Sequence, residues 1–148
     1  MQTFCNPVRI NYQYQPYFRG RESADPAVVL YRDSYFLFAS HGSGYWVSKD
    51  LMEWTFLMVD TERFPQFRLF APAPLVLGDR IYLTHSEGGH MLYSDDPFDP
   101  SSWVDIGRAY VWQDPALFLD DDGKVYLYDG LSTGSHCSYY LQALGIRW

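Results

Sequence analysis

Short apolar runs separated by polar turns recur along the chain, and their spacing predicts its architecture. The first pair of runs is Val28–Tyr31 and Tyr35–Phe38, which flank a polar turn at Arg32–Ser34. Short β-branched and aromatic runs on either side of a tight turn are typical of β-hairpins. The same layout returns at 71–86 and at 114–130. Helical periodicity is nowhere sustained, so the pattern predicts an all-β protein.

The three layouts are separated by a nearly constant distance. Counted from the residue before the proline, the step is 46 residues from Asp25 to Ala71 and 43 residues from Ala71 to Asp114. A period of roughly 40–45 residues with about four short strands in each unit is typical of β-propeller blades. We therefore predict a partial β-propeller with about two and a half to three four-stranded antiparallel blades.

The repeat also divides the chain. Residues 1–19 are aromatic and polar without a sustained period, and we interpret them as an N-terminal strap before a propeller segment at 20–148. Trp54 and Trp103 take similar places in the first two units, and we expect both to fill the space between neighbouring sheets. The expected blades are blade 1 at about 24–60, blade 2 at about 70–108 and a partial blade 3 at about 113–148, in which the pattern decays after Gly130.

Composition narrows the classes of partner. Of the 148 residues, 47% are hydrophobic, which is ample for a packed core, and the net charge of −7 argues against nucleic acid and anionic membranes. No apolar run approaches the length of about 20 residues that crosses a bilayer. The N-terminus lacks the layout of a signal peptide, so the compartment stays open. Cys5 and Cys137 either clasp the two ends or are unpaired thiols, and their spacing is not that of a metal site.

The repeat allows an internal comparison of the residues that precede the prolines. Ala71 shows that the strand can begin without a carboxylate, so the turn alone does not demand Asp25 and Asp114. Both aspartates would start the innermost strand of a blade and face each other across the mouth of the channel. Two carboxylates across a small aromatic pocket suit glycoside hydrolysis. The alternative is that Asp-Pro merely opens a strand and its side chain caps local N–H groups.

An ordered set of short motifs resembles a known family. The set is Asn6-Pro7, Ala24-Asp25-Pro26, S-x-D-L-x-x-W at 48–54, Phe70-Ala71-Pro72 and Q-D-P-A-L-F-x-D-D-D-G-K-V-Y-L-Y at 113–128. This order and spacing resemble the N-terminal half of glycoside hydrolase family 43, over roughly residues 6 to 132. The resemblance implies a five-bladed β-propeller that hydrolyses arabinofuranosides, xylosides and related pentose glycans with inversion.

The resemblance also implies roles for particular residues. Asp25 would be the general base that activates water, and Asp114 would tune the pKa of the general acid and orient it. Phe70 matches an aromatic residue at the pocket wall, where a sugar face can stack. Trp46 and Arg21 are further candidates for contacts with the carbohydrate substrate.

One departure from the family concerns the general acid, a glutamate on a later blade that has no match here. Glu87 is the nearest substitute, although a solvated loop residue is the simpler interpretation.

The family's ligand for a central ion, a calcium in the complete fold, is a histidine that also has no match here. We therefore predict no cofactor or metal ligand. The Asp120–Asp122 cluster is explained by a hairpin turn without calcium. The remaining glutamates and the histidines, interpreted as surface or loop residues, are Glu22, Glu53, Glu62, His41, His85, His90 and His136.

The function predicted from the sequence is glycoside hydrolysis. We expect the 148 residues alone to have no activity or a very weak one, because the general acid is missing. We also expect self-association through an open propeller edge. One alternative is a carbohydrate-binding propeller fragment that has lost catalysis. Another is a related propeller hydrolase that acts on fructans or other glycans. The family includes secreted, periplasmic and cytoplasmic members, so the resemblance does not fix the compartment.

Overall fold

The computed structural model describes Ile10, residues 23–86, 88–108 and 113–130, and the backbone of 137–140. These residues form three antiparallel sheets, and their one helical element is a 3-10 turn at Pro65–Phe67. The predicted all-β class is confirmed, as is the organisation into successive propeller-like sheets.

Each sheet is a meander in which successive strands pair with their chain neighbours. The first sheet contains β1 (Ala27–Tyr31), β2 (Ser34–Phe38), β3 (Gly44–Ser48) and β4 (Thr55–Met58). The second contains β5 (Ala73–Leu77), β6 (Arg80–Thr84), β7 (His90–Ser94) and β8 (Val104–Arg108). The third contains β9 (Ala116–Leu119), β10 (Val125–Asp129) and β11 (Cys137–Tyr140).

Tight turns set the register of the inner hairpins. Tyr31 pairs with Ser34 across a two-residue turn in which Arg32 has a φ of 54°. In the second sheet, Leu77 pairs with Arg80 across a turn in which Gly78 has a φ of 58°. Left-handed φ values at such positions give the turn a twist that matches the flanking strands. Because side chains alternate along a strand, this register decides which face of each sheet is apolar.

The main core lies between the first and second sheets. Trp103, just before β8, reaches across this core, and its ring packs edge-on against Phe38 and Tyr45 at centroid distances of 5.9 and 5.7 Å. Burying an aromatic or branched side chain contributes about 1.5–3 kcal/mol. The buried members of the core are Tyr31, Phe36, Phe38, Tyr45, Val59, Phe67, Leu69, Ile81, Leu83, Leu92 and Trp103.

A smaller core lies between the second and third sheets. Its buried members are Tyr82 and Met91 from the second sheet and Val125 and Leu127 from the third. The second sheet is therefore packed on both faces, as the middle blade of an array must be. The two cores hold the three sheets in chain order, with β1 beside β5 and β5 beside β9.

The two tryptophans expected between sheets behave differently. Trp103 is buried between the first two sheets, as expected. Trp54 is only half-buried, and its Nε1 donates to the Leu51 carbonyl 3.1 Å away, so its indole closes its own turn. The expectation for Trp54 stays a prediction, because the described residues include no sheet that packs over it as the second packs over the first.

Within the described part of the chain, the structure contains no helix that is long and apolar enough to cross a bilayer.

Candidate functional site

The three residues that precede the repeated prolines share an unusual backbone. Asp25, Ala71 and Asp114 have φ values of 53°, 46° and 49°, in the left-handed region. A residue before proline ordinarily takes an extended conformation, and left-handed backbone costs a non-glycine residue about 1–3 kcal/mol. Ala71 adopts it without a carboxylate, so the strain belongs to the position in the repeat. Strained backbone of this kind persists only where the surrounding structure holds it in place.

These three positions lie at the same end of adjacent strands. Each of them comes just before the first strand of its sheet, and these first strands lie side by side in the order β1, β5, β9. In each unit one backbone bond closes this end of the inner hairpin. Ser40 N–H donates to Ala24 O at 2.8 Å, Ser86 N–H to Phe70 O at 2.7 Å, and Gly130 N–H to Gln113 O at 2.8 Å.

A buried serine joins Asp25 to the second unit. The Ser40 hydroxyl donates to Asp25 Oδ2 at 2.7 Å, and the Ala71 N–H donates to the same Ser40 oxygen at 2.7 Å. Ser40 is 1% exposed, whereas Asp25 is exposed. The carboxylate of Asp25 is thus tied on one side to the scaffold and is open to a ligand on the other.

The same link is repeated between the second and third units. The Asp114 N–H donates to Ser86 Oγ at 2.9 Å, and the Ser86 N–H donates to Phe70 O. Together with the Ser40 bonds, this chain of contacts runs from Asp25 through the Phe70–Ala71 segment to Asp114. We call it the serine relay, defined by Ser40 and Ser86. It brings the two predicted carboxylates and Phe70 to one edge of the molecule.

Phe70 forms an aromatic wall at this edge together with His41. The two rings meet edge-on with centroids 4.7 Å apart, and the His41 N–H donates to Leu69 O at 2.9 Å. Phe70 is 39% exposed, so part of its ring is accessible for stacking by a ligand. His41 directly follows Ser40, the residue whose hydroxyl donates to Asp25.

A cleft opens at the same end of the second sheet. It has a volume of about 470 Å³ and is lined by Pro65, Gln66, Arg68, His85, Gly88 and His90. A His85 ring nitrogen lies 2.8 Å from Gln66 O, and the His90 ring is paired with Asp105 at 2.8 Å. These contacts orient both imidazoles. The cleft therefore has a polar lining between the β6–β7 loop and the segment that leads to Phe70.

The other site residues expected from the sequence are not found beside Asp25 in the described structure. Trp46 is 3% exposed on β3, with its ring against Phe56 at 4.9 Å, so it packs in the interior and its burial disfavours the expected substrate contact. Glu53 lies in the β3–β4 turn, at the opposite end of the first sheet from Asp25. Glu62 is exposed beyond β4. The candidates Arg21, Glu22, Glu87 and His136 lie outside the described residues.

Sequence reasoning missed Ser40, Ser86 and Asp129. Asp129 is 8% exposed at the end of β10 and precedes Gly130, whose N–H bonds to the residue before Asp114. It therefore adds a third carboxylate at this end of the inner strands. A signal for the serines was present, because Ser40 and Ser86 are themselves 46 residues apart, the same step as Asp25 to Ala71.

The described residues do not fit a metal site. Among them, no group of three or more His, Cys, Asp or Glu side chains is arranged to hold a metal ion. The acidic cluster at 120–122 forms a turn, in which Asp122 pairs with Lys124 Nζ at 2.7 Å and accepts from the Lys124 N–H at 2.9 Å. The hydrogen bond from Lys124 holds the pKa of Asp122 below its ordinary value. This turn is at the end of the third sheet opposite to Asp114.

Comparisons with known proteins identify the fold. No protein-family model and no curated protein sequence matches this chain. Among solved structures, Xyloglucan PUL GH43B of Bacteroides ovatus is 20% identical, with a TM-score of 0.62 over 80% of this chain and 28% of its own. An α-L-arabinanase of Cellvibrio cellulosa is also 20% identical, with a TM-score of 0.60 over 80% of this chain and 48% of its own.

A third similar structure has a different activity. The xylan β-1,4-xylosidase of Bacillus halodurans is 20% identical, with a TM-score of 0.53 over 72% of this chain and 25% of its own. This chain thus spans between a quarter and a half of the length of each of these three structures. The likeness confirms the resemblance derived from the sequence motifs at the level of fold. The chain has the fold of part of a glycoside hydrolase family 43 β-propeller.

Proposed function

We propose that this chain carries the water-activating side of an inverting glycosidase site that acts on arabinofuranosyl or xylosyl glycans. The observation that carries the proposal is the serine relay, which holds Asp25 and Asp114 at one end of adjacent inner strands. The fold supports it, since the similar structures include an arabinanase and a xylosidase.

Asp25 is the general base of the proposed reaction. Its Oδ2 accepts from Ser40, and the carboxylate is otherwise exposed at the edge that Phe70 borders. A carboxylate in this position can take a proton from water as that water attacks the anomeric carbon. Attack from the face opposite to the leaving group inverts the configuration of the sugar.

Asp114 and Phe70 complete the described half of the proposed site. Asp114 starts the third inner strand and lies one relay step from Phe70. Its carboxylate would orient the general acid and adjust the pKa of that acid, because a neighbouring negative charge raises the pKa of a carboxyl group. Phe70 offers a partly exposed ring on which a pentose can stack.

The general acid in this proposal comes from outside the described residues. Glu53, at the far end of the first sheet, cannot protonate a leaving oxygen beside Asp25. The acid matters most for alkoxide leaving groups, which depart poorly without a proton. A dinitrophenolate leaving group needs no protonation, so a dinitrophenyl glycoside tests the base without the acid.

The experiment compares hydrolysis of 2,4-dinitrophenyl α-L-arabinofuranoside and β-D-xyloside by the chain and its variants. We expect turnover of one or both, and we expect Asp25→Asn to reduce kcat by about 10²–10⁴-fold, since it removes general-base assistance. Asp79→Asn is the matched control, because Asp79 is exposed in the β5–β6 turn at the opposite end of the second sheet.

Three outcomes would contradict the proposal. Turnover that Asp25→Asn leaves unchanged would remove Asp25 from the reaction. Equal sugar binding by the chain and Asp25→Asn, with no turnover by either, would instead indicate a carbohydrate-binding module. Calorimetric titration with the corresponding methyl glycosides distinguishes these two results from a chain that does not bind at all, which would also contradict the proposal.

A further inference from the structure

The hydrogen-bonding capacity of Ser40 fixes the direction of both of its side-chain bonds. A serine hydroxyl has one proton to donate and two lone pairs to accept with. The Ala71 N–H can only donate, so it occupies a lone pair of Ser40 Oγ at 2.7 Å. The single hydroxyl proton is then directed to Asp25 Oδ2, also at 2.7 Å. Each of these bonds has only one chemically sensible polarity.

The backbone around Ser40 is held as firmly as its side chain. The Ser40 N–H donates to Ala24 O at 2.8 Å, and the next residue donates from its N–H to Leu69 O at 2.9 Å. Ser40 is 1% exposed, so its hydroxyl does not compete with bulk water for these partners. Asp25 itself is exposed and in left-handed backbone, so neither packing nor an extended strand holds its side chain.

The repeat shows that the contact with the carboxylate is specific to the first unit. Ser86 accepts from the Asp114 N–H as Ser40 accepts from the Ala71 N–H. In the second unit, however, Ala71 stands where Asp25 stands in the first, so Ser86 has no carboxylate at that position. In the third unit the equivalent backbone bond, to Gln113 O, comes from Gly130, which has no hydroxyl group. Among the residues that the structure describes, the first unit alone combines the inter-unit link with a tied aspartate.

We propose that Ser40 is a positioning residue that locks the carboxylate of Asp25 toward the proposed site and couples its orientation to the second sheet through Ala71. This inference deepens the proposed function and, for its catalytic consequence, rests on Asp25 as the base. A base must be held close to one geometry to activate water efficiently, and a buried supporting hydrogen bond provides that restraint.

The first test measures the χ1 rotamer of Asp25 in the chain by three-bond NMR couplings to its carboxyl carbon. We expect a single rotamer in the wild type and rotamer averaging in Ser40→Ala. Ser86→Ala is the matched control, since it breaks the equivalent link between the second and third units without touching Asp25. It should leave the Asp25 couplings unchanged.

The outcomes are decisive even if Ser40→Ala does not fold. Averaged couplings for Asp25 in the wild type would overturn the proposal without any variant. A single rotamer that persists in folded Ser40→Ala would overturn it as well. Averaging that appears in Ser86→Ala to the same extent would show that loosened contacts between sheets, rather than the hydroxyl, control Asp25.

Kinetics on the dinitrophenyl glycosides separates this inference from the proposed function. Ser40→Ala should lower kcat by about 10–100-fold, the scale of one lost hydrogen bond to a charged group, with little change in KM. If Asp25→Asn abolishes turnover and Ser40→Ala keeps the wild-type kcat, the base role stands and the positioning role fails. If Ser40→Ala frees the Asp25 side chain and Asp25→Asn keeps full turnover, the positioning stands and the hydrolase proposal fails.

Discussion

Buried hydroxyl groups hold the first two sheets together at the level of single residues. The Tyr45 side chain is wholly buried, and its hydroxyl donates to Pro97 O at 2.7 Å and accepts from Trp103 Nε1 at 3.2 Å. The Tyr31 hydroxyl lies 2.9 Å from both Asp79 O and Asp95 O. Both tyrosines belong to the first sheet and all of their partners to the second unit, so these bonds fix how the two sheets dock.

Replacing Tyr45 with phenylalanine tests this contribution. The Pro97 carbonyl and the Trp103 N–H would lose their described partner in a dry interior, and an unsatisfied buried group costs about 1–3 kcal/mol. Because two groups lose this partner, Tyr45→Phe should lower the free energy of unfolding in urea titrations by at least that amount. Tyr35→Phe, in the same sheet but only half-buried, should have a smaller effect. An unchanged midpoint for Tyr45→Phe would contradict the account.

The same residue predicts a dependence of stability on alkaline pH. Burial raises the pKa of the Tyr45 hydroxyl above the ordinary value of 10.0. A raised pKa in the folded state means that stability is fully present below about pH 10 and is lost as the pH rises through the folded value. The wild type should lose stability above pH 10, and Tyr45→Phe should lose less over the same interval.

The roles of some residues could be predicted from the sequence and those of others could not. Asp25 and Asp114 stand out because the repeat places Ala71 at the position between them. The function of Ser40 depends on which N–H group the next unit presents to it, and that is a tertiary contact between residues 31 positions apart. The environment of Trp46 could not be predicted, because an aromatic residue on a strand can face a pocket or a core with the same local pattern.

Turns are the elements in which sequence and structure agree most closely. The S-x-D-L-x-x-W motif is a turn tied by its own side chains, since Asp50 Oδ1 accepts from the N–H groups of Met52 and Glu53 at 2.8 and 2.9 Å. These backbone bonds hold the pKa of Asp50 below its ordinary value. Ser48 Oγ accepts from the Leu51 N–H at 2.9 Å. The residues of the motif are therefore explained by the structure of this turn, without a role in catalysis.

The close approach of β3 and β4 gives a prediction at the level of elements. Gly44 pairs with Met58, and a β-carbon at Gly44 would overlap the Leu57 carbonyl oxygen and lie 2.7 Å from the Phe56 ring. Because a backbone atom cannot move aside easily, Gly44→Ala should destabilise the chain by about 1–3 kcal/mol. Thermal unfolding followed by circular dichroism measures this. Thr55→Ala, at an exposed position of β4, is the control.

Equal losses of stability for Gly44→Ala and Thr55→Ala would contradict the packing argument.

The hairpins could be predicted from the sequence because apolar runs and turn residues are local signals. Strand β8 did not, since Val104–Arg108 carries two charged residues and a glycine. Its position is set by pairing with β7, which includes a shift in register between His90 and Leu92.

At the scale of the whole molecule, the outward faces of the first and third sheets remain apolar. Leu30 is 54% exposed on β1 and Phe118 is 49% exposed on β9. By the 46-residue step, Leu30 corresponds to Val76, which packs against the core between the first two sheets. The exposed face of the first sheet therefore corresponds to the face of the second sheet that is buried in the core between the two sheets. Self-association through these faces stays a prediction.

The sequence predicted the class and order of the units at this scale because the repeat is visible in one chain. It could not predict how the sheets pack, since the two cores combine residues from separate units. The location of the candidate site could be predicted in part. The repeat places Asp25 and Asp114 at equivalent positions, and the serine relay then shows how the three units bring them to one edge.

The most direct test of the account is to map where a pentose glycan binds by two-dimensional amide NMR of the chain. Titration with arabinotriose and xylotriose should shift the amide signals of Asp25, Ser40, Phe70, Ala71 and Asp114 together, because these residues share one edge of the molecule. Maltotriose serves as the control sugar. Shifts confined to the outer strands, or none at millimolar sugar, would contradict the claim that three units build one carbohydrate site.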